Sequence, residues 1–359
     1  MAAVNIVVFG CGRMGSVHLT TLAGLTGVRI KWVVDEAGVH PRVQQVLESL
    51  RLQTTNIADI ADIDTVLGDK EVTSVVICTP ASTHESLIQA ALKAGKHVFC
   101  EKPIGLSSDS VTSSYRLAAE KGLTLYCGFQ RRKDADFSQV CTKIRQGVIG
   151  TLRLIKVTSR DGPSHNTADF LKHSGGLFLD SCVHDLDVVC WLAGERPLTL
   201  VAYGHAHEEM FAECQDVDMT SIMVKFPSGT IATIDNSRIG AEYGYDQRLE
   251  VLGSSGMLKI ENPRTSNVQQ WGDVGTVLAP MIHDGVQRYL AAYRKEMGHF
   301  IDIVKGEREC DMTAESVITV SQMVELCQES LHAGGSHCLC RSSKYRLHRQ
   351  LHVQAPHAG

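Results

Sequence analysis

The sequence predicts two domains in tandem: an α/β domain on a parallel sheet, then an α+β domain with a large, mostly antiparallel open sheet. Three observations predict this. Short apolar runs alternate with helical segments up to residue 128. A glycine-rich loop, Gly10-Cys-Gly12-Arg-Met-Gly15, sits between the first apolar run and the first helical segment. Beyond residue 129 the alternation gives way to a few helices and a series of strands joined by turn residues.

The elements follow in order. Asn5 to Phe9 reads as a strand feeding the glycine loop, and the helix opened near Met14 continues through His18 to Leu25. Arg29 to Val34 is a second strand ending at Asp35, and Pro41 to Leu50 a helix. Ser74 to Cys78 is a buried strand ending at Thr79-Pro80; a helix from Thr83 to Ala94 follows, closed by Gly95. His97 to Cys100 is a strand ending at Glu101-Lys102-Pro103, followed by a helix from Asp109 to Lys121 and a strand from Thr124 to Gly128. Strands alternating with helices build a parallel sheet that binds ligands at the carboxyl ends of its strands. Asp35, Thr79-Pro80 and Lys102 should therefore gather with the glycine loop at one rim.

In the second domain, Asp136 to Arg145 reads as a helix. A further helix carries Asp180 and His184 and ends at Ala193-Gly194. Strands are expected at Leu198–Tyr203, Met219–Phe226, Thr230–Ser237, Arg248–Leu252 and Met257–Ile260, with turns at Pro227-Ser-Gly229 and Gly253–Gly256. Helices from Gln287 to Val304 and from Ala314 to Leu331 close the domain. The expected division is residues 1–128, residues 129–331 and a mobile polar tail over residues 332–359.

Composition narrows the function. At 359 residues, 43% hydrophobic and 21% charged, the chain is an ordinary globular protein with room for two cores. A net charge of −5 and the lack of a basic stripe interleaved with aromatics argue against nucleic acid as a partner. No apolar stretch reaches membrane-spanning length, so no membrane partner is expected. The run Val4 to Gly10 is too short for a signal peptide and no basic segment precedes it. The twelve cysteines lie mostly in apolar runs, where a reduced thiol packs as a small hydrophobe. Together these give a cytoplasmic expectation. Cys338-Leu-Cys340 lies near His332 and His337, but a loose polar tail is the stronger reading, and no metal is expected.

The chemistry-bearing residues fall into three groups. Gly10, Gly12 and Gly15 let backbone approach a pyrophosphate at a helix N-terminus. Asp35 can accept hydrogen bonds from ribose hydroxyls and repel a 2′-phosphate, which favours NAD over NADP, although Arg42 or Arg13 would accommodate a phosphate. Lys102, in a turn at that rim, can hydrogen-bond a substrate hydroxyl; a solvated turn lysine is the alternative. In Asp180-Ser-Cys-Val-His184 an acid and an imidazole four residues apart share one helical face. A neutral imidazole there can take a hydroxyl proton, with the carboxylate orienting it or holding substrate. A core histidine beside an N-cap aspartate would look the same.

Taken in order, the motifs Gly10–Gly15, Thr79-Pro80 with His84, Glu101-Lys102-Pro103, Gly128-Phe-Gln-Arg-Arg132, Gly175-Gly176 and Asp180–His184 resemble the Gfo/Idh/MocA oxidoreductases. That family includes glucose–fructose oxidoreductase and the inositol dehydrogenases, and the likeness runs from about Asn5 to Leu331. It implies a Rossmann domain holding NAD, and oxidation of a cyclitol or sugar hydroxyl to a ketone, with myo-inositol to scyllo-inosose expected first. It also implies a homodimer or homotetramer. Arg13, Met14, Thr79, Pro80, His84, Glu101 and Lys102 would complete the cofactor site. His184 would be the general base, with Asp180 and Lys102 polarising the reacting hydroxyl. Arg131 or Arg132, Asp161, Ser181, Tyr243 and Tyr245 would contact substrate. Ser159 stands where some members carry a histidine. Another sugar or polyol (scyllo-inositol, glucose) or a non-catalytic NAD-binding scaffold are the competing readings.

Overall fold

The computed structural model describes residues 3–162, 167–238, 240, 242–273 and 275–340. The first sheet contains β1 (Val4–Phe9), β2 (Val28–Asp35), β3 (Asn56–Asp59), β4 (Ser74–Ile77), β5 (His97–Glu101) and β6 (Leu125–Gly128). All pair in parallel, in the order β3-β2-β1-β4-β5-β6. Helices α1 (Arg13–Ala23), α2 (His40–Ser49), α3 (Ile63–Gly68), α4 (His84–Lys93) and α5 (Ser108–Lys121) connect the strands. The central strands are apolar throughout, as strands covered on both faces must be. Val7, Val8, Val75, Val76, Val98 and Phe99 are fully buried. Local chemistry sets the helix ends: Ser107 Oγ accepts from Ser110 N to start α5, and Gly122 stops it at φ +62°.

The second domain carries α6 (Ala135–Arg145), β7 (Leu152–Arg160), α7 (Ala168–His173), α8 (Val183–Ala193), β8 (Thr199–His205), α9 (Glu209–Glu213), β9 (Met219–Lys225), β10 (Ile231–Ser237), β11 (Asp246–Gly253) and β12 (Met257–Ile260). The ribbon β13 (Gln269–Gly272) and β14 (Gly275–Leu278) follows, then α10 (Gly285–Val304), α11 (Ala314–His332) and β15 (Cys338–Leu339). The large sheet runs β12-β11-β7-β10-β9-β8-β15. Its pairs are antiparallel except for β7 with β10. β9 alternates strictly: Thr220, Ile222 and Val224 are buried while Met219, Ser221, Met223 and Lys225 face outward. One face of the sheet is therefore covered, with α11 packing on β8 and α8, and the other is open.

The structure departs from the sequence reading in several places, and β3, α3, α7, α9 and the β13–β14 ribbon are elements the sequence did not announce. β7 went unread, although it sits between β11 and β10 near the middle of the sheet. The segment expected to be regular helix around Asp180 begins with a π-turn over Phe178–Cys182 before α8. The tail expected to be mobile from residue 332 is folded as far as residue 340. Gly334 and Gly335 take positive φ, the chain reverses, and Cys338 and Leu339 pair with Leu200 and Thr199 on the edge strand β8. Two paired residues are too few to leave a periodic signal. Residues 341–359 of that expected tail lie outside the described residues. No helix among the described residues is long and apolar enough to cross a membrane.

Arg132 also departs from its expected place at the substrate. It is buried and paired with Asp187 of α8, its Nε 2.9 Å from Asp187 Oδ2. Deleting one partner of such a pair strands a charge away from water and costs about 3–5 kcal/mol. Asp187→Ala should lower the unfolding free energy by about that amount, as read by urea unfolding; wild-type stability in the variant would contradict this role.

Candidate active site

The rim of the parallel sheet meets the second domain around a cavity of about 620 Å³. At its cofactor end the backbone leaves no room for side chains. A Cβ on Gly15 would lie 2.0 Å from the Gly10 carbonyl oxygen, and one on Gly10 would lie 2.8 Å from Cys78 O. In front of Gly12, the N-cap of α1, nothing approaches within 4 Å of such an atom. A loop pressed tight behind and open in front, at the N-terminus of a helix, fits a dinucleotide pyrophosphate. Asp35 ends β2 beside it: Oδ2 accepts from Cys11 N at 2.7 Å and Oδ1 from Glu36 N at 2.9 Å. That fixes a carboxylate where an adenosine ribose would lie.

The other cofactor residues divide. Arg13, Met14, Glu101 and Lys102 line the cavity. Arg13 reaches across it to Asp284, whose other oxygen caps α10 by accepting from Gln287 N. His84 acts behind the rim. Its ring nitrogens lie 2.7 Å from Pro103 O and 2.8 Å from Thr79 O, so one buried imidazole ties the Thr79-Pro80 turn to the Lys102-Pro103 turn. Burial lowers its pKa, and a neutral ring donates to only one of these carbonyls at a time. Glu101 Oε1 lies 2.6 Å from His18 Nε2. Glu296 of α10 lies against this pair with both oxygens buried and unpartnered among the described residues. Burial, then the charge of Glu101, pushes the Glu296 carboxyl well up, so it holds a proton.

At the substrate end, Lys102 Nζ donates to the Asp180 carbonyl at 2.5 Å and lies 3.1 Å from Asp180 Oδ1. Asp180 Oδ2 takes Arg238 Nη2 at 2.8 Å. Burial alone would raise the Asp180 carboxyl, but Lys102 and Arg238 outweigh it and hold the group below its ordinary range, ionised. Of the two roles the sequence left open for Asp180, orienting the imidazole or holding substrate, the first has no hydrogen bond to His184 behind it; the carboxylate is taken by the two cations. His184 lines the same cavity, edge-on to Phe129, with Nδ1 buried and unpartnered among the described residues. Burial, then the positive charges of Lys102 and Arg131, press its pKa well below 6.5, so the ring is a neutral base.

Arg131 and Arg132 are now distinguished: Arg131 lines the cavity. Asp185 binds its Nη1, and its Nη2 reaches Gln247 Oε1 at 2.5 Å and Ser159 Oγ at 3.3 Å. Asn236 Nδ2 links this network to Ser181, lying 2.7 Å from Asp185 Oδ2 and 3.0 Å from Ser181 Oγ. Asp161, Ser181 and Tyr245 all line the cavity. Burial, then the charge of Asp180, raises the Asp161 carboxyl to about 6. Tyr243 does not share this position: it is 52% exposed and its hydroxyl donates to Asp246 Oδ2 at 3.0 Å. Gly244 between the two tyrosines takes φ +132°, and only Tyr245 turns inward, against Tyr289. Sequence reasoning missed Tyr289 and Tyr293 on α10, Phe170 on α7, and His283-Asp284 ahead of α10. Only the Asp284 N-cap left a local signal.

A six-stranded parallel sheet with this loop, beside a cavity lined by a neutral imidazole and a lysine, defines a nicotinamide-dependent oxidoreductase. The chain belongs to the Gfo/Idh/MocA family. The family's oxidoreductase domain, an NAD-binding Rossmann fold, matches residues 4–129, and its C-terminal domain matches residues 137–259. Inositol 2-dehydrogenase of Rhizobium meliloti (strain 1021) is 35% identical over 309 residues, spanning 85% of this chain and 90% of that one. The crystal structure of a myo-inositol dehydrogenase from Corynebacterium glutamicum superposes with a TM-score of 0.86 at 28% identity, covering 94% of this chain and 99% of that one. A scyllo-inositol dehydrogenase from Lactobacillus casei, solved with NAD(H) and scyllo-inositol, gives a TM-score of 0.84 at 26% identity, covering 94% of this chain and 99% of that one.

Gly15 is the position where the loop has least tolerance. Gly15→Ala must push two backbone segments apart, an overpacking cost of about 1–3 kcal/mol. Borne by the cofactor loop, this weakens NAD binding roughly 5- to 150-fold. Titration calorimetry with NAD reads it, and wild-type affinity in the variant would refute the loop's role.

Proposed function

We propose that this chain is an inositol dehydrogenase that oxidises one ring hydroxyl of myo-inositol to the ketone scyllo-inosose. The observation that carries the reading is the convergence of Lys102, Asp180 and His184 on one cavity beside the glycine loop. Bound NAD supplies the hydride acceptor for the carbinol carbon. The protein's own groups manage the proton. His184 Nδ1 is sealed in the protein, so the hydroxyl proton arrives at Nε2. Lys102 donates to the reacting oxygen as negative charge develops on it. Asp180 keeps Lys102 in place rather than orienting the imidazole.

The remaining groups suit a neutral cyclitol. Arg131 is a donor, Asp161 titrates near 6 and so can donate or accept, and Ser181 adds a hydroxyl. Burial raises the Tyr245 phenol, keeping it a hydroxyl donor. The cations Lys102 and Arg131 each face a carboxylate, Asp180 and Asp185, so no excess positive charge invites an anionic substrate. Asp35 disfavours a 2′-phosphate and selects NAD. The open sheet face, with Met223 and Tyr203 exposed, supports homo-oligomeric assembly. Oxidation of scyllo-inositol is the second reading, favoured by the structural likeness to an enzyme solved with that ligand.

Steady-state assays with NAD over a polyol panel test the assignment. Myo-inositol should give the highest kcat/KM. A higher value for scyllo-inositol moves the assignment to the second reading. NAD binding without turnover of any polyol would favour a scaffold. His184→Ala should lower kcat about 10²–10⁴-fold while NAD still binds. Near-normal turnover in that variant at every pH would remove His184 as the base. Because the folded-state pKa of His184 is depressed, the imidazole stays unprotonated as pH falls through 6.5. The acid limb of kcat/KM should lie below pH 6.5, the ordinary histidine value.

A further inference from the structure

Arg238 is among the most buried large side chains in the protein, only 1% exposed, although it carries a full charge. It follows β10, and its own amide donates to Asp218 O at 2.8 Å. Its guanidinium is forked between two carboxylates: Nη2 lies 2.8 Å from Asp180 Oδ2 and Nη1 lies 2.9 Å from Asp216 Oδ2. Nη2 also reaches Gly176 O at 3.4 Å. Asp216 is itself fixed to the segment that presents Asp180, since its Oδ1 accepts from Leu177 N at 3.0 Å and Val217 N at 2.9 Å. A Cβ on Gly176 would approach that oxygen to 3.2 Å, so the backbone at Gly176 lies close against this carboxylate. Asp216, Arg238, Asp180 and Lys102 thus form a row of alternating charge from the loop after α9 to the cofactor rim.

We propose that Arg238, anchored by Asp216, is a positioning residue for the reaction: it holds one oxygen of Asp180 so that the other, with Lys102, stays directed at the reacting hydroxyl. This rests on the function proposed above. The physical case is one of competition. A lysine ammonium can swing on its flexible stem to satisfy both oxygens of a lone buried carboxylate. With Oδ2 already taken by the rigid guanidinium fork, Lys102 meets only Oδ1 and the Asp180 carbonyl, and its remaining N–H can face the cavity. The guanidinium also lies 5.9 Å from the centre of the Phe170 ring, which lines the cavity, so the same group supports the α7 wall.

Two variants of the full chain separate charge from geometry. The charged or titratable groups facing Asp180 are Lys102 from β5, Arg238 after β10, Asp161 after β7 and His184 of α8. Arg238→Gln removes a cation, so the Asp180 carboxyl should titrate at higher pH, as read by its carbon-13 shift. Its kcat should fall about 10²-fold, the effect of misplacing a reacting group by about 1 Å, with NAD affinity unchanged. Arg238→Lys keeps the charge but loses the fork, so kcat should fall while the Asp180 titration stays at its wild-type pH. Wild-type kcat in Arg238→Lys overturns the proposal, and so does an unmoved Asp180 titration in Arg238→Gln. If the wild-type chain oxidises no polyol, the proposed function fails instead. The carbon-13 titration of the Asp180 carboxyl then still decides this inference: a rise in Arg238→Gln supports it, and an unchanged titration overturns it.

Discussion

Lys102 reaches from the end of β5 to the carbonyl and carboxylate of Asp180, 78 residues further along the chain, and most of the active-site arrangement depends on that contact. It joins the rim of the parallel sheet to the segment leading into α8. An ion pair partly withdrawn from water, as this one is, is weak evidence for stability, because desolvation offsets much of the attraction. What makes this one sustainable is that every strong acceptor has a donor: the second carboxylate oxygen meets Arg238, and Arg238 meets Asp216. The arrangement holds charged groups in a low-dielectric cavity at fixed positions, which is the condition under which they act on a developing alkoxide.

The same electrostatics sets the state of His184. His184 would be protonated near neutrality if it formed an ion pair with Asp180. The cations instead take that carboxylate, and burial together with Lys102 and Arg131 keeps the imidazole neutral. Asp180 and His184 therefore act through different partners although they lie four residues apart. The π-turn at Phe178–Cys182 leads directly into α8, so both side chains still line the cavity. Asp161, beside Asp180, rises to about 6 through burial and that neighbouring charge, which leaves the cavity wall able to donate as well as accept.

Much of this was legible in the sequence where the signal is local. The glycine loop, the buried valine strands, the Gly95 stop after α4 and the turn at Gly229 all rest on residues within a few positions of one another. Lys102, Asp180 and His184 could be named as candidates because motif order placed them together. The rest depended on contacts no local pattern carries. Arg131 and Arg132 are adjacent and chemically identical, and only Asp185 and Asp187 on α8 separate their roles. Arg238 lies 58 residues from Asp180, and nothing in its own neighbourhood marks it. Tyr289 reads as one apolar position on an amphipathic helix; it becomes a cavity residue because Tyr245 and Arg131 pack against it. β7 lacks a clean alternation because residues on both of its faces are buried, so its period does not announce a strand.

In the proposed reaction, this cavity moves hydride from a ring carbon of an inositol to NAD. The direct measurement is to supply myo-inositol deuterated at its carbinol carbons with NAD and the intact protein, and to follow the label by mass spectrometry of the nucleotide product. Deuterium transferred to the nicotinamide ring, with one inosose formed for each NADH, is the predicted result. NADH formed without deuterium, or no NADH with this or any other inositol, would contradict the account.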